Sequence, residues 1–314
     1  MTYQSYSSDY SLRSALFVPG YLTKFLEKAK NYDVDALILD LEDSVPKYVK
    51  EQARENIKQY LKENSYHQRI YIRVNPIDSG LFTEDLNACL EFGIEGLMPT
   101  KIRNRKDVEF IDKFVCEFER SKKIKKNSIK LLPLIETGAA ILSAHEIATC
   151  SERMSGLALG GEDYLTDLDG LHKEHGTSLI VPRSIVVIAA RSAGIEVLDT
   201  PFLDINDHDR YRKELEQSRE LGFSGQLIIH PNQIELANKI FTPDESEIDE
   251  ARIIIEAIHQ SSKEGNGTTL LNGKLVGPPM LKRAENVIRK IKSIVATEER
   301  KPNFKSDLQK YIQS

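Results

Sequence analysis

Ala36-Leu37-Ile38-Leu39-Asp40-Leu41-Glu42-Asp43 is the stretch on which the fold turns. Four apolar residues in a row, with no polar alternation, suit a strand covered on both faces. The carboxylates come only at its end. Behind it, Val49 to Leu61 carries Ala53, Ile57 and Tyr60-Leu61 at helical spacing. That is one apolar face of a 3.6-residue repeat. Buried strand, polar end and amphipathic helix together make one β/α unit.

The unit recurs along the chain. Similar apolar runs stand at Ala15–Val18, Ile70–Val74, Gly96–Pro99, Lys130–Ile135, Gly156–Leu159, Ile195–Leu198 and Gln226–Ile229, eight in all with the first. Further helical patterns cover Thr23 to Lys30 and Tyr211 to Leu221. Eight strand–helix alternations predict an α/β fold, a (β/α)8 TIM barrel. A doubly wound sheet is the other architecture of this pattern, but no GxGxxG follows the first strand. The barrel is expected over residues 13–245, after a polar tail at 1–12. Residues 246–314 are expected to form a C-terminal helical appendage, with helices near Ser246–Ser261 and Met280–Thr297. A Gly/Asn break at 264–267 and a short extended piece, Thr268 to Val276, lie between them. The appendage reads either as a cover for barrel surface or as a lid near the mouth. The basic run Lys122–Lys126 reads as a solvated loop.

Composition limits the rest. In 314 residues, 43 Lys and Arg face 48 Asp and Glu, a formal net charge of −5. A dedicated nucleic-acid binder needs clustered basic charge for phosphates, so that class is disfavoured. No run of about 18 apolar residues occurs, which leaves no membrane span. Met1 to Tyr10 is polar and lacks the apolar core of a secretory signal. Cys89, Cys116 and Cys150 are far apart with no CxxC pair, which reads as reduced thiols in a cytoplasmic setting.

In a barrel the reactive groups gather where the strands end. The ends here are Pro19-Gly20, Asp40-Leu41-Glu42-Asp43, Arg73 with Asn75-Pro76, and Thr100-Lys101. The series continues with Glu136-Thr137-Gly138, Gly160-Gly161-Glu162-Asp163, Asp199 and His230-Pro231. Carboxylates converging on one mouth repel unless a cation or a proton intervenes. Oxygen donors without a His/Cys cluster point to magnesium rather than zinc. Glu136 and Asp163 are the best pair, each just past an apolar strand and near glycines. Asp163 also fits a helix N-cap. Arg73 lies in a run that should be buried, where a guanidinium needs an anionic partner. That partner is either a substrate carboxylate or Asp40 or Glu42. Asp40, Glu42 and Asp43, with Glu162, are expected around the metal waters and Arg73. Lys101 is ambiguous, and His230 reads as a core histidine.

At these residues the chain resembles a known family. Arg13-Ser14-Ala15-Leu16-Phe17-Val18-Pro19-Gly20, Leu39-Asp40-Leu41-Glu42-Asp43-Ser44-Val45 and Ile72-Arg73-Val74-Asn75 look like the HpcH/HpaI aldolase–citrate lyase family. So do Leu134-Ile135-Glu136-Thr137, Gly160-Gly161-Glu162-Asp163-Tyr164 and the stretch from Ile229-His230-Pro231-Asn232-Gln233-Ile234 to Phe241-Thr242-Pro243. The likeness runs from about residue 13 to 295. It is strongest to the citrate lyase beta-subunit-like branch, which includes citramalyl-CoA and malyl-CoA lyases. The resemblance implies a magnesium-dependent lyase that cleaves a 3-hydroxy-3-carboxyacyl thioester to a 2-oxo acid and a shorter acyl thioester. It implies Glu136 and Asp163 as metal ligands, with Glu136 also facing the substrate, and Arg73 as the catalytic arginine on the substrate oxygens. Phe17, Pro19, Gly20, Lys24 and Lys28 match the segment that meets CoA. It further implies a homotrimer or hexamer in which the C-terminal segment covers a neighbour's site.

One position departs. Where the family commonly has Asp in a Gly-x-Met-Ile-Asp-x-Pro pattern, this chain has Gly277. That carboxylate is the family's candidate acid/base group, so thioesterase and malate synthase-like activities are in doubt. Three further readings stand beside the acyl-CoA lyase. They are a citrate lyase-like subunit working on an acyl-carrier-protein thioester, a non-catalytic CoA-ester-binding barrel, and an aldolase acting on free hydroxy acids.

Overall fold

The computed structural model describes residues 11–171 and 176–301. Most of the polar segment 1–12 therefore lies outside the described residues. Nine strands form one sheet: β1 (Ser14–Pro19), β2 (Ala36–Asp40), β3 (Arg69–Val74), β4 (Gly96–Pro99), β5 (Lys130–Leu131), β6 (Leu134–Ile135), β7 (Gly156–Leu159), β8 (Glu196–Asp199) and β9 (Gly225–Ile228). Their order is β5-β4-β3-β2-β1-β9-β8-β7-β6, with every pairing parallel. The fifth run of the sequence supplies two of the nine. Pro133 has no N–H to give the ladder, so the run breaks there into β5 and β6. The break is also where the ring closes. β5 pairs with β4, β6 pairs with β7, and Leu131 bridges Met154. The 130–135 segment is thus one broken stave of an eight-stave barrel. Across its interior the Tyr71 and Ser155 hydroxyls lie 3.2 Å apart.

Outside the strands run α1 (Thr23–Ala29), α2 (Lys50–Glu63), α3 (Phe82–Cys89), α4 (Arg105–Lys122), α5 (Gly138–Leu142), α6 (Ala144–Thr149), α7 (Gly161–Asp167), α8 (Thr177–Ala193), α9 (His208–Leu221) and α10 (Ile234–Phe241). β2, β4, β7, β8 and β9 are buried along their whole length, as strands covered on both faces must be. Helix α2 turns Ala53, Ile57, Tyr60 and Leu61 inward, the face its spacing predicts.

The described residues fall into two compact units, Leu12–Lys239 and Ser11 with Ile240 onward. The second holds α11 (Glu245–Lys263) and α12 (Pro278–Glu298). Asp244 caps α11, accepting from the Glu247 N–H while Glu247 returns a bond to the Asp244 N–H. The expected single extended piece is instead a hairpin, β10 (Thr269–Leu271) against β11 (Lys274–Val276), turning at Asn272-Gly273. Both turn residues have positive φ, the demand that Asn-Gly meets in two-residue hairpins. Ile254, Ile258, Val276 and Ala284 are buried together as this unit's core.

At the N-terminal ends of the strands the barrel buries charge. Arg153 is 0% exposed and gives both terminal nitrogens to Glu119 at 2.7 Å and its Nε to Asp112 at 2.5 Å. Glu119 also accepts from the Asn127 and Ile129 N–H groups. Burial opposes its charge, but the Arg153 hydrogen bonds and these amides outweigh it and hold the carboxyl at about 2. A depressed carboxyl gives stability that is complete above the ordinary carboxylate range and lost as pH falls towards 2. Glu119→Ala leaves Arg153 short of its main partner and is expected to cost about 3 kcal/mol at pH 7. Urea unfolding of both proteins at pH 7 and pH 3 checks this. The gap between them should shrink at the lower pH, and a constant gap contradicts the assignment.

Candidate active site

The site lies at the C-terminal ends of the strands, and its walls are set by two glycines. A Cβ on Gly20 would sit 2.7 Å from the Asp40 carbonyl oxygen and 2.6 Å from Ile57, so only glycine lets β1 turn there. The Gly20 N–H donates to that same oxygen at 2.9 Å. A Cβ on Gly160 would lie 2.6 Å from the Glu136 Cβ and 2.9 Å from its Oε2. The glycine end of β7 is what lets the Glu136 carboxylate stand where it does.

Arg73 stands one residue before the end of β3 and crosses to β2. Its Nε and one terminal nitrogen donate to the two oxygens of Asp40 at 2.7 and 2.6 Å. The salt bridge to Asp40 weighed from the sequence is therefore present. Asp40 also accepts from the Glu42 N–H and from the N–H and hydroxyl of Ser44. Burial alone would raise Asp40, but Arg73 and these donors outweigh it and hold it below the ordinary carboxylate range. The second terminal nitrogen of Arg73 points to Glu42 and Asp43, 3.4 and 3.7 Å away. Phe17 supports the guanidinium, whose carbon sits 4.5 Å from the ring centroid. Lys50 fixes the loop beyond β2, donating to the carbonyls of Leu41 and Glu42 and to Asn75 Oδ1.

Glu136 and Asp163 come together from the ends of β6 and β7. Glu136 is 1% exposed. Burial pushes its carboxyl up to about 8, against the pull of Lys101 and with the help of Asp163. Lys101 serves both. Its N–H donates to Glu136 Oε1 at 2.6 Å, and its ammonium lies 2.6 Å from Asp163 and 3.7 Å from Glu136. To do this its backbone takes φ 53°, a left-handed conformation uncommon for a residue with a side chain.

Other expectations change. Asp163 is not an N-cap; Gly160 holds that position, and Asp163 follows within the first turn of α7. Glu162 is exposed on the same turn. Asp199 ends β8, but its carboxylate pairs with Arg183 of α8 at 3.1 Å, which holds it against the outer helices. His230 is exposed rather than core, and its ring caps the turn at Asn232. Lys24 and Lys28 are exposed on α1, and Pro19 is half-buried. Lys101, Lys50 and Asn75 are the residues that sequence reading missed or left open. Lys101 carried a signal, since it is the charged residue that follows β4.

Comparison with known proteins adds identity to this geometry. The model of the HpcH/HpaI aldolase/citrate lyase family matches residues 13–231. The citrate lyase subunit beta of Haemophilus influenzae is 34% identical over 287 residues, covering 91% of this chain and 99% of that protein. A (3S)-malyl-CoA thioesterase of Cereibacter sphaeroides is 31% identical, covering 90% of this chain and 96% of its own. Among solved structures, the CitE protein of Mycobacterium tuberculosis, in complex with magnesium, acetoacetate and coenzyme A, superposes with a TM-score of 0.72. It is 25% identical and covers 90% of this chain and 99% of that one. A family model matched over residues 13–231 and a relative 34% identical over nearly its whole length carry one conclusion: the chain belongs to the HpcH/HpaI aldolase/citrate lyase family.

Proposed function

We propose that this protein is a magnesium-dependent carbon–carbon lyase. It cleaves a 3-hydroxy-3-carboxyacyl thioester, of the citryl-, citramalyl- or malyl-CoA type, to a 2-oxo acid and a shorter acyl thioester. One observation carries the reading: Glu136 and Asp163 share a cation, the Lys101 ammonium, in the barrel mouth.

The donor set fits magnesium. Two carboxylates meet at one point and already hold one positive charge between them. Among the described residues no group of three or more His, Cys, Asp or Glu forms a closed metal cage. Magnesium is commonly held by one or two carboxylates, with water and substrate completing its shell. Glu136 and Asp163 are the residues that would hold it. When bound, it supplies Lewis-acid polarisation of the substrate's carboxylate and hydroxyl oxygens.

The rest is the work of this chain's side chains. The edge of Arg73 that Asp40 leaves free, which faces Glu42 at 3.4 Å, offers donors to the oxo-acid oxygens, and Asp40 fixes the plane of the guanidinium. Gly20 lets β1 pack its turn against Asp40 and Ile57, and Gly160 leaves room for the Glu136 carboxylate. Lys24 and Lys28 on α1 provide positive charge for the phosphates of CoA, which favours CoA over a carrier-protein thioester. At position 277 there is no side chain, so a thioesterase reading that needs a carboxylate there finds none. The exposed Leu142, Leu168, Leu171, Val181 and Ile188 lie along α5, α8 and the segment after α7. They support a homotrimer or hexamer, with the C-terminal segment serving as a lid over a neighbour's site. Among the described residues no helix is long and apolar enough to cross a membrane. The three cysteines are unpaired, which suits a cytoplasmic enzyme.

Three measurements test the reading. Glu136→Ala should lose the magnesium-induced rise in melting temperature and about a hundredfold or more of magnesium-dependent turnover. Unchanged turnover of citryl-, citramalyl- and malyl-CoA would sink the ligand assignment. Reversing both Lys24 and Lys28 to Glu should raise KM for the CoA thioester about tenfold or more and leave kcat near wild type. A KM that does not move argues for the carrier-protein substrate. Light scattering should give a mass of three or six chains, reduced by Ile188→Glu; a monomeric wild type contradicts the assembly.

A further inference from the structure

The cleavage needs a group to take the hydroxyl proton, and the charged groups of the mouth can be assigned one by one. Asp40 is used up by Arg73, the Glu42 N–H and Ser44. Glu136 and Asp163 are committed to the cation. Lys101 is spent on the same pair, its ammonium 2.6 Å from Asp163 and 3.7 Å from Glu136. Lys50 gives its protons to two carbonyls and Asn75. Asp43 stands out in solvent, its side chain 57% exposed.

Glu42 is left, and its geometry suits a base. It is 6% exposed, in the loop that carries Arg73's anchor. One oxygen, Oε2, accepts the Asp43 N–H at 2.9 Å and faces the free edge of Arg73 at 3.4 Å. The other accepts no hydrogen bond among the described residues. A carboxylate beside the fork that holds the substrate's oxygens, with one oxygen uncommitted, is placed for proton transfer.

We propose that Glu42 is the general base of the lyase reaction: it takes the hydroxyl proton as the carbon–carbon bond breaks and returns it to the enolate carbon. This rests on the lyase reading above. The O–H electron pair becomes the new carbonyl bond of the 2-oxo acid. The pair of the broken carbon–carbon bond stays on the thioester as its enolate, and the proton held by Glu42 then completes the acyl thioester. No external proton or oxidant enters.

The electrostatics agree. Burial raises Glu42, Arg73 opposes, Asp43 and Asp40 raise it further, and Lys101 opposes, leaving it at about 7. These groups, with Lys50 of α2, are the charged side chains facing it. A base with that value is half-charged at neutral pH, so turnover should rise with pH through about 7.

The test compares full-length wild type, Glu42→Gln and Glu42→Asp with magnesium and the best hydroxyacyl-CoA ester. Calorimetric binding of the 2-oxo acid and melting temperature are measured in parallel. Glu42→Gln should lower kcat by about a hundred- to ten-thousand-fold and abolish the rising limb. Its melting temperature and oxo-acid binding should stay near wild type. Glu42→Asp should recover part of the rate with a displaced limb, and it decides the matter if the Gln variant does not fold. A Gln variant within tenfold of wild type, or an Asp variant with an unchanged pH profile, overturns the assignment. So does a rate loss matched by lost oxo-acid binding, which would make Glu42 a positioning residue for Arg73. A wild type that turns over no thioester refutes the lyase reading itself, which is a different failure from an active Gln variant.

Discussion

The mouth of the barrel is organised around one ion pair. Asp40 ends β2, Arg73 is one residue from the end of its neighbour β3, and the strand register puts the two residues directly opposite. Both are largely out of water, where an unpaired charge would cost several kcal/mol. Two parallel hydrogen bonds meet that cost and fix the guanidinium plane. The loop after β2 then has little freedom. The Glu42 N–H and the Ser44 N–H and hydroxyl all turn in to the same carboxylate. Lys50 ties the loop from outside. Glu42 and Asp43 are thereby held beside the free edge of Arg73.

Charge balance across the mouth follows from this arrangement. Asp40, Glu42, Asp43, Glu136 and Asp163 carry five carboxyl groups. Arg73, Lys50 and Lys101 bring three cations. Two negative charges remain if all ionise, and the excess falls on the side of Glu136, whose carboxyl is pushed up to about 8 by burial. A divalent cation relieves that excess without protonating either carboxylate. The left-handed backbone of Lys101 belongs to the same balance. It allows the N–H and the ammonium of one residue to reach the same pair of carboxylates.

Much of this was legible in the sequence, and the reasons are physical. Strands buried on both faces are apolar at consecutive positions, so all eight staves were visible as runs. Strand ends are where polar residues return, so Arg73, Asp40, Glu136 and Asp163 stood out. What escaped depends on direction rather than on residue type. Pro133 announced a missing donor, but only the ladder tells that it splits a stave at the point of closure. Asp199 ends a strand like Asp40 does, yet its carboxylate meets Arg183 and the outer helices. Lys101 was ambiguous because its role rests on a positive φ, which a lysine does not advertise.

The pairing of Asp40 and Glu42 shows how one loop can make two carboxylates behave differently. They are two residues apart and both nearly buried. Asp40 receives two guanidinium donors, two backbone amides and a hydroxyl, and stays ionised below the ordinary range. Glu42 receives one amide and a longer approach from the same arginine, so burial prevails and its carboxyl rises to about 7. Environments that drive two acids apart in this way separate a fixed charge from a movable proton. Arg73 links them, because the tighter it grips Asp40, the less it can stabilise the charge on Glu42. The pair that secures the fold at this loop therefore leaves the neighbouring carboxyl free to exchange a proton near neutrality.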